Sequence, residues 1–224
     1  TAEGQTDSAF DGAITATLYD REREVVCKNN KNSGAAFVYP DRGNALLQGN
    51  DSIRNGRFAM SMLIPYNISY TDDAARLSLY AVTNDKQQEA SGVYEDFCLN
   101  GTVEMSVPDT LAPQVYVYLD DPDFPDGGEV GTDALFVAQV SDDFGINTTA
   151  SSSGRDMELT LDGGAGVYNL NENFSFDSGS YKSGRATFHL TGLTDGRHTL
   201  SFKVWDVNGN STVKHLKFSV GATA

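Results

Sequence analysis

In LTDGRHTLSFKVWDVNGNSTVKHLKFSV, residues 193–220, apolar side chains return at every second position on both sides of one short polar turn. Leu200, Phe202 and Val204 share a face of the first arm, and Leu216, Phe218 and Val220 share a face of the second. A period of two sends alternate side chains to opposite faces of a strand, so both arms read as strands with one buried face. DVNGN, 206–210, supplies the turn: Asp206 and Asn208 can accept backbone N–H bonds, and Gly209 suits the positive-φ position. The six apolar side chains are expected to seal a sandwich core. Trp205 then lies on the opposite face, where packing under a loop is the expectation.

The same alternation recurs upstream. GAITATLYD, 12–20, and ARLSLYAVT around Leu77, Leu79 and Ala81 read as strands. A charged turn, RERE, leads into a short strand at VVC. In 44–65, Asn55-Gly56 between apolar arms is a two-residue hairpin signal, with Phe58, Met60 and Met62 on one face and Pro65 ending the run. NGTVEMSVP, 100–108, reads as the strand that closes the first block. Beyond it come QVYVYLD, then DALFVAQVS, apolar on both faces and so expected to be central. MELTL, RATFHLTGL and the closing hairpin follow. Nothing reads as a helix longer than a turn or two. VPDTLAP reads as an extended linker cut near Pro108. The expectation is an all-β chain of two consecutive immunoglobulin-like antiparallel β-sandwich domains, 1–107 and 108–224.

Composition narrows the function classes. With a formal net charge of −15, the chain has no basic surface for nucleic acid or for an anionic membrane face. No apolar run approaches a membrane span. The polar start at Thr1 shows no signal peptide and reads as part of something longer.

Reactive chemistry is sparse. Cys27 and Cys98 form no CxxC and have no histidine at ligand spacing. They are candidates for a disulfide, worth roughly 4 kcal/mol over so long a loop, or are two free buried thiols. A cysteine nucleophile would need a base in reach, whereas His189, His198 and His215 all lie in the other block. The three histidines match no zinc pattern, and no nucleophile elbow, phosphate loop or dinucleotide fingerprint occurs. The acidic loops DDPDFPD and SDDFGIN offer hard oxygen ligands of the kind calcium takes, through Asp120, Asp121, Asp123, Asp126, Asp142 and Asp143. Their spacing is not that of an EF-hand, and solvated turns are the ordinary alternative. No catalytic residue and no required cofactor is read from the chain.

SDDFGINTTASSSGRDMELTLDG, YNLNENF and LTDGRHTLSFKVWDVNGNS resemble, in order and spacing, the region after the peptidase domain in the sortases of the type IX secretion system. These are gingipain-family cysteine peptidases of Bacteroides-type bacteria. FDGAITATLYDRER, NALLQGNDSIRNGRFAMSMLIPYNISY and ARLSLYAV resemble the segment linking that peptidase to its tail, so the resemblance covers nearly the whole chain. One run departs from the family pattern. Where a Gly-Ile-Gly-His-Asp type run is expected, the chain reads ASSSGRDMEL, so Arg155 stands for the histidine while Asp156 remains. A role resting on that histidine does not carry over.

The resemblance implies a non-catalytic region at the cell surface, associated with the outer membrane but not inserted in it. Its implied partners are the protein's own peptidase domain, an outer-membrane β-barrel of the PorV type, and the sorting domains of cargo. DSA, DSI and DTL resemble the O-glycosylation acceptors of such bacteria, chiefly at Ser52 and Thr110. A carbohydrate-binding or adhesive surface module is the alternative. It would draw on Tyr66, Tyr70, Tyr94, Tyr116, Tyr118 and Tyr181.

Overall fold

The computed structural model describes residues 4–28, 30–31, 34–42, 45–64, 71–101, 109–148 and 154–221. The described chain is almost entirely β. In the first half the strands are β1 (Gly12–Tyr19), β2 (Arg23–Val26), β3 (Val38–Asp41), β4 (Ala45–Ile53), β5 (Arg76–Thr83) and β6 (Glu89–Tyr94). They form a four-stranded sheet, ordered β4-β1-β5-β6, and a separate β2-β3 hairpin.

β1 and β5 are the inner strands, and β1 alternates cleanly. Ile14, Ala16 and Leu18 are buried, and the strand pairs antiparallel with β4 on one side and β5 on the other. What covers that face differs from the sequence expectation. Asn55 and Gly56 do form the positive-φ turn, at φ 51° and 69°, closed by an Arg54–Arg57 bridge. The arm after it pairs with no strand beyond that bridge. Residues 58–64 form no strand, and Met60, Met62 and Ile64 pack onto the sheet's apolar face instead. An alternation of two marks an extended chain with one buried face; it does not say which backbone, if any, lies beside it. Gly49 in β4 makes room for this strap, since a Cβ there would stand 3.1 Å from Met60 Sδ. Among the described residues the first half is thus a four-stranded sheet with a strap over its apolar face, and a separate β2-β3 hairpin.

The second half contains β7 (Gln114–Leu119), β8 (Gly128–Val130), β9 (Ala134–Ser141), β10 (Glu158–Leu161), β11 (Gly166–Asn169), β12 (Phe174–Phe176), β13 (Ser183–Leu190), β14 (Gly196–Trp205) and β15 (Ser211–Val220). One 3-10 turn, Asn171–Asn173, precedes β12. Two sheets, β11-β10-β14-β15-β8 and β12-β13-β9-β7, face each other as a sandwich. Phe136 of β9 meets Phe202 of β14 across the gap, ring centroids 5.5 Å apart. Leu200, Phe202, Val204, Leu216, Phe218 and Val220 all point into this core, as the closing hairpin predicts. β9 is central, between β13 and β7.

β3, β6, β8, β11 and β12 carry weak sequence signals. β6, EASGVY, is exposed along its whole length, so no apolar alternation marks it. β8 adds parallel to β15, a pairing that a short Gly-Glu-Val run cannot announce.

The hydrophobic clusters keep to the two halves. One joins side chains of β7 to β15, and two smaller ones join side chains from Phe10 to Leu99. Between them runs a polar seam at β4 and β12. Asn50 Nδ2 donates to Phe176 O, Gly179 N–H donates to Asn50 O, and Ser52 Oγ lies 3.3 Å from Ser178 Oγ. The boundary expected at Pro108 and most of the strand expected at 100–108 lie outside the described residues.

Candidate functional site

Three carboxylates converge where the chain enters the sandwich. Asp109 stands on the entering segment, Asp142 follows β9, and Asp206 follows β14. One oxygen from each lies within 4.8 Å of the others. Asp206 is fully buried, and Asp109 and Asp142 are partly so.

Each acid is there because it organises a turn. Asp206 Oδ1 accepts the backbone N–H groups of Asn208, Gly209 and Asn210, and its Oδ2 accepts Asn210 Nδ2. This holds the β14–β15 turn, with Gly209 at φ 96°. Asp142 Oδ1 accepts the N–H groups of Phe144 and Gly145, each at 2.8 Å. Asp109 Oδ1 accepts Leu111 N–H, while its Oδ2 accepts Asn208 Nδ2 at 3.0 Å. Thr212 Oγ1 adds a bond to Pro113 O at 2.6 Å, so the entering segment is laced to the last hairpin.

The electrostatics follow from crowding like charges. Burial raises the Asp142 carboxyl above its ordinary range against its two N–H donors, and the charges of Asp109 and Asp143 add to the rise. Burial likewise raises Asp206, with Asp142 adding repulsion. Burial also pushes on Asp109, but bonds from Asn208, Leu111 and Asp206 outweigh it and hold Asp109 low. A divalent cation such as calcium would neutralise the repulsion among the three carboxylates, which form a hard oxygen donor set.

Only Asp142 of the acids singled out by sequence belongs to this cluster. Asp120 and Asp121 are exposed and serve turns, accepting Leu135 N–H and Asp123 N–H. Asp126 accepts Lys217 N–H. Asp123 and Asp143 are exposed. Asp109 was hidden in a linker-like run and Asp206 in a turn. The signal for Asp206 was present in Asp-Val-Asn-Gly-Asn, a run dense in oxygen-bearing side chains.

Cys27 and Cys98 are free, exposed thiols. Cys27 bonds through its backbone to Phe37 beside the β2-β3 hairpin, and Cys98 bridges to Ala74 beside β5. His189 and His215 are exposed on different sheets. His198 is buried and clamped, with Nδ1 2.7 Å from Asp162 Oδ2 and Nε2 2.6 Å from Thr194 O. No thiol–imidazole pair and no histidine cluster forms among the described residues. Trp205 lies against cations, Lys203 Nζ at 4.5 Å and the Arg155 guanidinium at 5.6 Å from its ring centre.

Tyr94 stacks on Phe97, and Tyr116 leans on the buried Tyr118. Tyr181 precedes β13, so these tyrosines stand on three separate elements. Tyr66 and Tyr70 lie outside the described residues. Ser52 and Thr110 are exposed, Ser52 at the seam and Thr110 beside the carboxylates.

No family model and no curated protein matches the chain. Among solved structures it is similar to the crystal structure of dimeric latent PorU from Porphyromonas gingivalis. Identity is 28%, the TM-score is 0.52, and the match covers 99% of this chain and 21% of that one. The chain spans about a fifth of the PorU chain. Among the described residues no helix is long and apolar enough to cross a membrane.

Proposed function

We propose that this chain is the non-catalytic C-terminal β region of a type IX secretion sortase related to PorU. In this reading it is exported to the cell surface and associated with the outer membrane. It braces the peptidase domain, and binds the outer-membrane barrel partner, the sorting domain of cargo, or both. The supporting observation is the likeness to PorU at 28% identity spread over 99% of the chain. A shared peptidase motif could not produce likeness of that extent. Two domains meeting near Pro108, each immunoglobulin-like in the broad sense, belong to the same proposal. Separate hydrophobic clusters in the two halves support that division. Calcium at Asp109, Asp142 and Asp206 would brace the entry to the second domain, and Ser52 and Thr110 would be glycan acceptors.

The test is retention of purified peptidase domain, barrel protein and cargo sorting domain on the immobilised 224-residue chain. Retention of at least one at micromolar concentration is expected, and failure with all three overturns the proposal.

A further inference from the structure

The first sheet has two edges, and the fold treats them differently. The β4 edge is engaged by the second half through Asn50, Phe176 and Gly179. The β6 edge has no partner among the described residues. Natural edges are commonly blunted with lysine, proline or a bulge. β6 carries none of these: it reads Glu-Ala-Ser-Gly-Val-Tyr and pairs with β5 in unbroken register.

The backbone alternation is fixed by the hairpin. Thr83 N–H donates to Gln88 O, so that pair is hydrogen-bonded, and Ala90, Gly92 and Tyr94 turn their backbone groups toward β5. Glu89, Ser91 and Val93 then present theirs outward. Beside this edge the apolar face of the sheet is incompletely covered. A cavity of about 650 Å³ opens there, walled by Phe10, Phe58, Leu79, Ala81, Ala90 and Gly92.

Gly92 is the decisive residue. Its φ is not positive, and a Cβ there would meet nothing within 4 Å. Neither backbone geometry nor packing within the chain calls for glycine. Glycine in a strand is unfavourable unless another chain approaches closely. Its missing side chain leaves the cavity open at the edge.

We propose that β6 is a docking edge that takes an extended polypeptide segment as an added strand. The segment's outward-facing amides and carbonyls bond those of Glu89, Ser91 and Val93. Its alternate side chains, bulky and apolar, enter the cavity over Ala90 and Gly92. Asp7 is the acidic side chain lining the cavity, Glu89 alternating to the opposite sheet face beside Tyr80, and the chain's net charge is −15, so the segment carries Lys or Arg. The inference adds a partner class to the accessory-module reading but rests on the edge alone.

The test uses the whole 224-residue chain and a phage-displayed random decapeptide library, with the enriched decapeptides synthesised for titration. Enriched sequences are expected to alternate bulky apolar with polar residues and to include Lys or Arg. Ser91→Pro removes one outward N–H without touching the β5 ladder, and Gly92→Val fills the cavity mouth. Each variant is expected to bind at least tenfold more weakly with an unchanged melting temperature; if one is unfolded, the other decides. No enrichment, or undiminished binding by a folded variant, overturns the proposal. A β6-paired dimer of the parent chain, lost in Ser91→Pro, also overturns it by making a second copy the occupant. The probe requires no barrel, peptidase domain or cargo, so its failure is distinct from failure of the sortase reading.

Discussion

The side-chain amide of Asn50 in β4 donates to the backbone carbonyl of Phe176 in β12 at 3.0 Å, and the Asn50 carbonyl accepts Gly179 N–H at 2.9 Å. Asn50 thus makes two of the bonds that hold the second half against the edge of the first sheet. Backbone edge groups left without partners are costly when buried, and this contact occupies them. The opposite edge has no such device among the described residues, which is why it is available to another chain.

Asn50→Ala removes the side-chain bond and leaves Phe176 O half-buried without that donor. A loss of about 1 kcal/mol is expected, with both hydrophobic clusters intact. Hydrogen exchange should show faster opening of β4 and β12 while β9 and β14 are unchanged. Equal acceleration throughout would show that Asn50 supports the core and not the seam.

The carboxylate cluster predicts opposite effects of one substitution. Asp142 and Asp206 have raised carboxyl values in the folded chain, chiefly from burial, with repulsion from Asp109 and Asp143 on Asp142 and from Asp142 on Asp206. A group raised on folding contributes stability that is present below its unfolded value and lost as pH rises through the folded value. Without a cation, this cluster should therefore contribute less stability at pH 7 than at a pH below the ordinary carboxylate value. Asp142→Asn, which still accepts the Phe144 and Gly145 N–H groups, should raise the melting temperature at pH 7. Calcium at a hundredfold over its Kd should add about 2.7 kcal/mol to the parent chain. EDTA should reverse that gain, and Asp142→Asn should lose it. A melting temperature indifferent to calcium would leave the cluster as a turn-building device alone.

His198 gives a pH response at a second place. Both ring nitrogens face acceptors, Thr194 O and Asp162 Oδ2, so the doubly protonated imidazolium is favoured and its value is raised. The same pair, through Thr199 N–H and His198, holds Asp162 below its ordinary value although burial opposes this. The histidine's contribution is complete below its unfolded value and lost as pH rises through the raised one. That of Asp162 is present above its unfolded value and lost as pH falls through the lowered one. Their joint contribution therefore spans mildly acidic pH. His198→Gln should cost ~2 kcal/mol at pH 5 and clearly less at pH 8. A pH-independent loss in denaturant melts would show that only the packing against Phe218 matters.

Gly12→Ala tests the first sheet. A Cβ at Gly12 would overlap Val82 O, a backbone atom that cannot move without breaking the β1–β5 ladder. A cost of about 2–3 kcal/mol is expected, read in urea. Gly49→Ala meets only the flexible side chains of Met60 and Met62 and should cost under about 1.5 kcal/mol.

The exposed thiols predict that iodoacetamide modifies Cys27 and Cys98 in the native chain, without denaturant, and leaves the melting temperature unchanged. Resistance of both until reduction would restore the disulfide alternative.

Period-two alternation by itself determined that β1, β5, β9, β14 and β15 are strands and, in β14 and β15, which apolar side chains seal the core. That pattern is local: a strand with one dry face must repeat every second residue wherever it sits. The turns at Asn55-Gly56 and at Asp206–Asn210 were legible for the same reason, since positive φ and side-chain capping are properties of a few consecutive residues. Tertiary structure alone decided the rest. Phe58 to Ile64 alternates like a strand, yet serves as a strap, because which chain lies alongside depends on residues far away in sequence. β6 is a strand without alternation, because an edge exposed on both faces imposes none. The carboxylate cluster gathers positions 109, 142 and 206, of which the sequence singled out only Asp142 as a metal-ligand candidate, with other partners. Their meeting is a matter of how two sheets and one entering segment stack, and no short-range pattern encodes that distance.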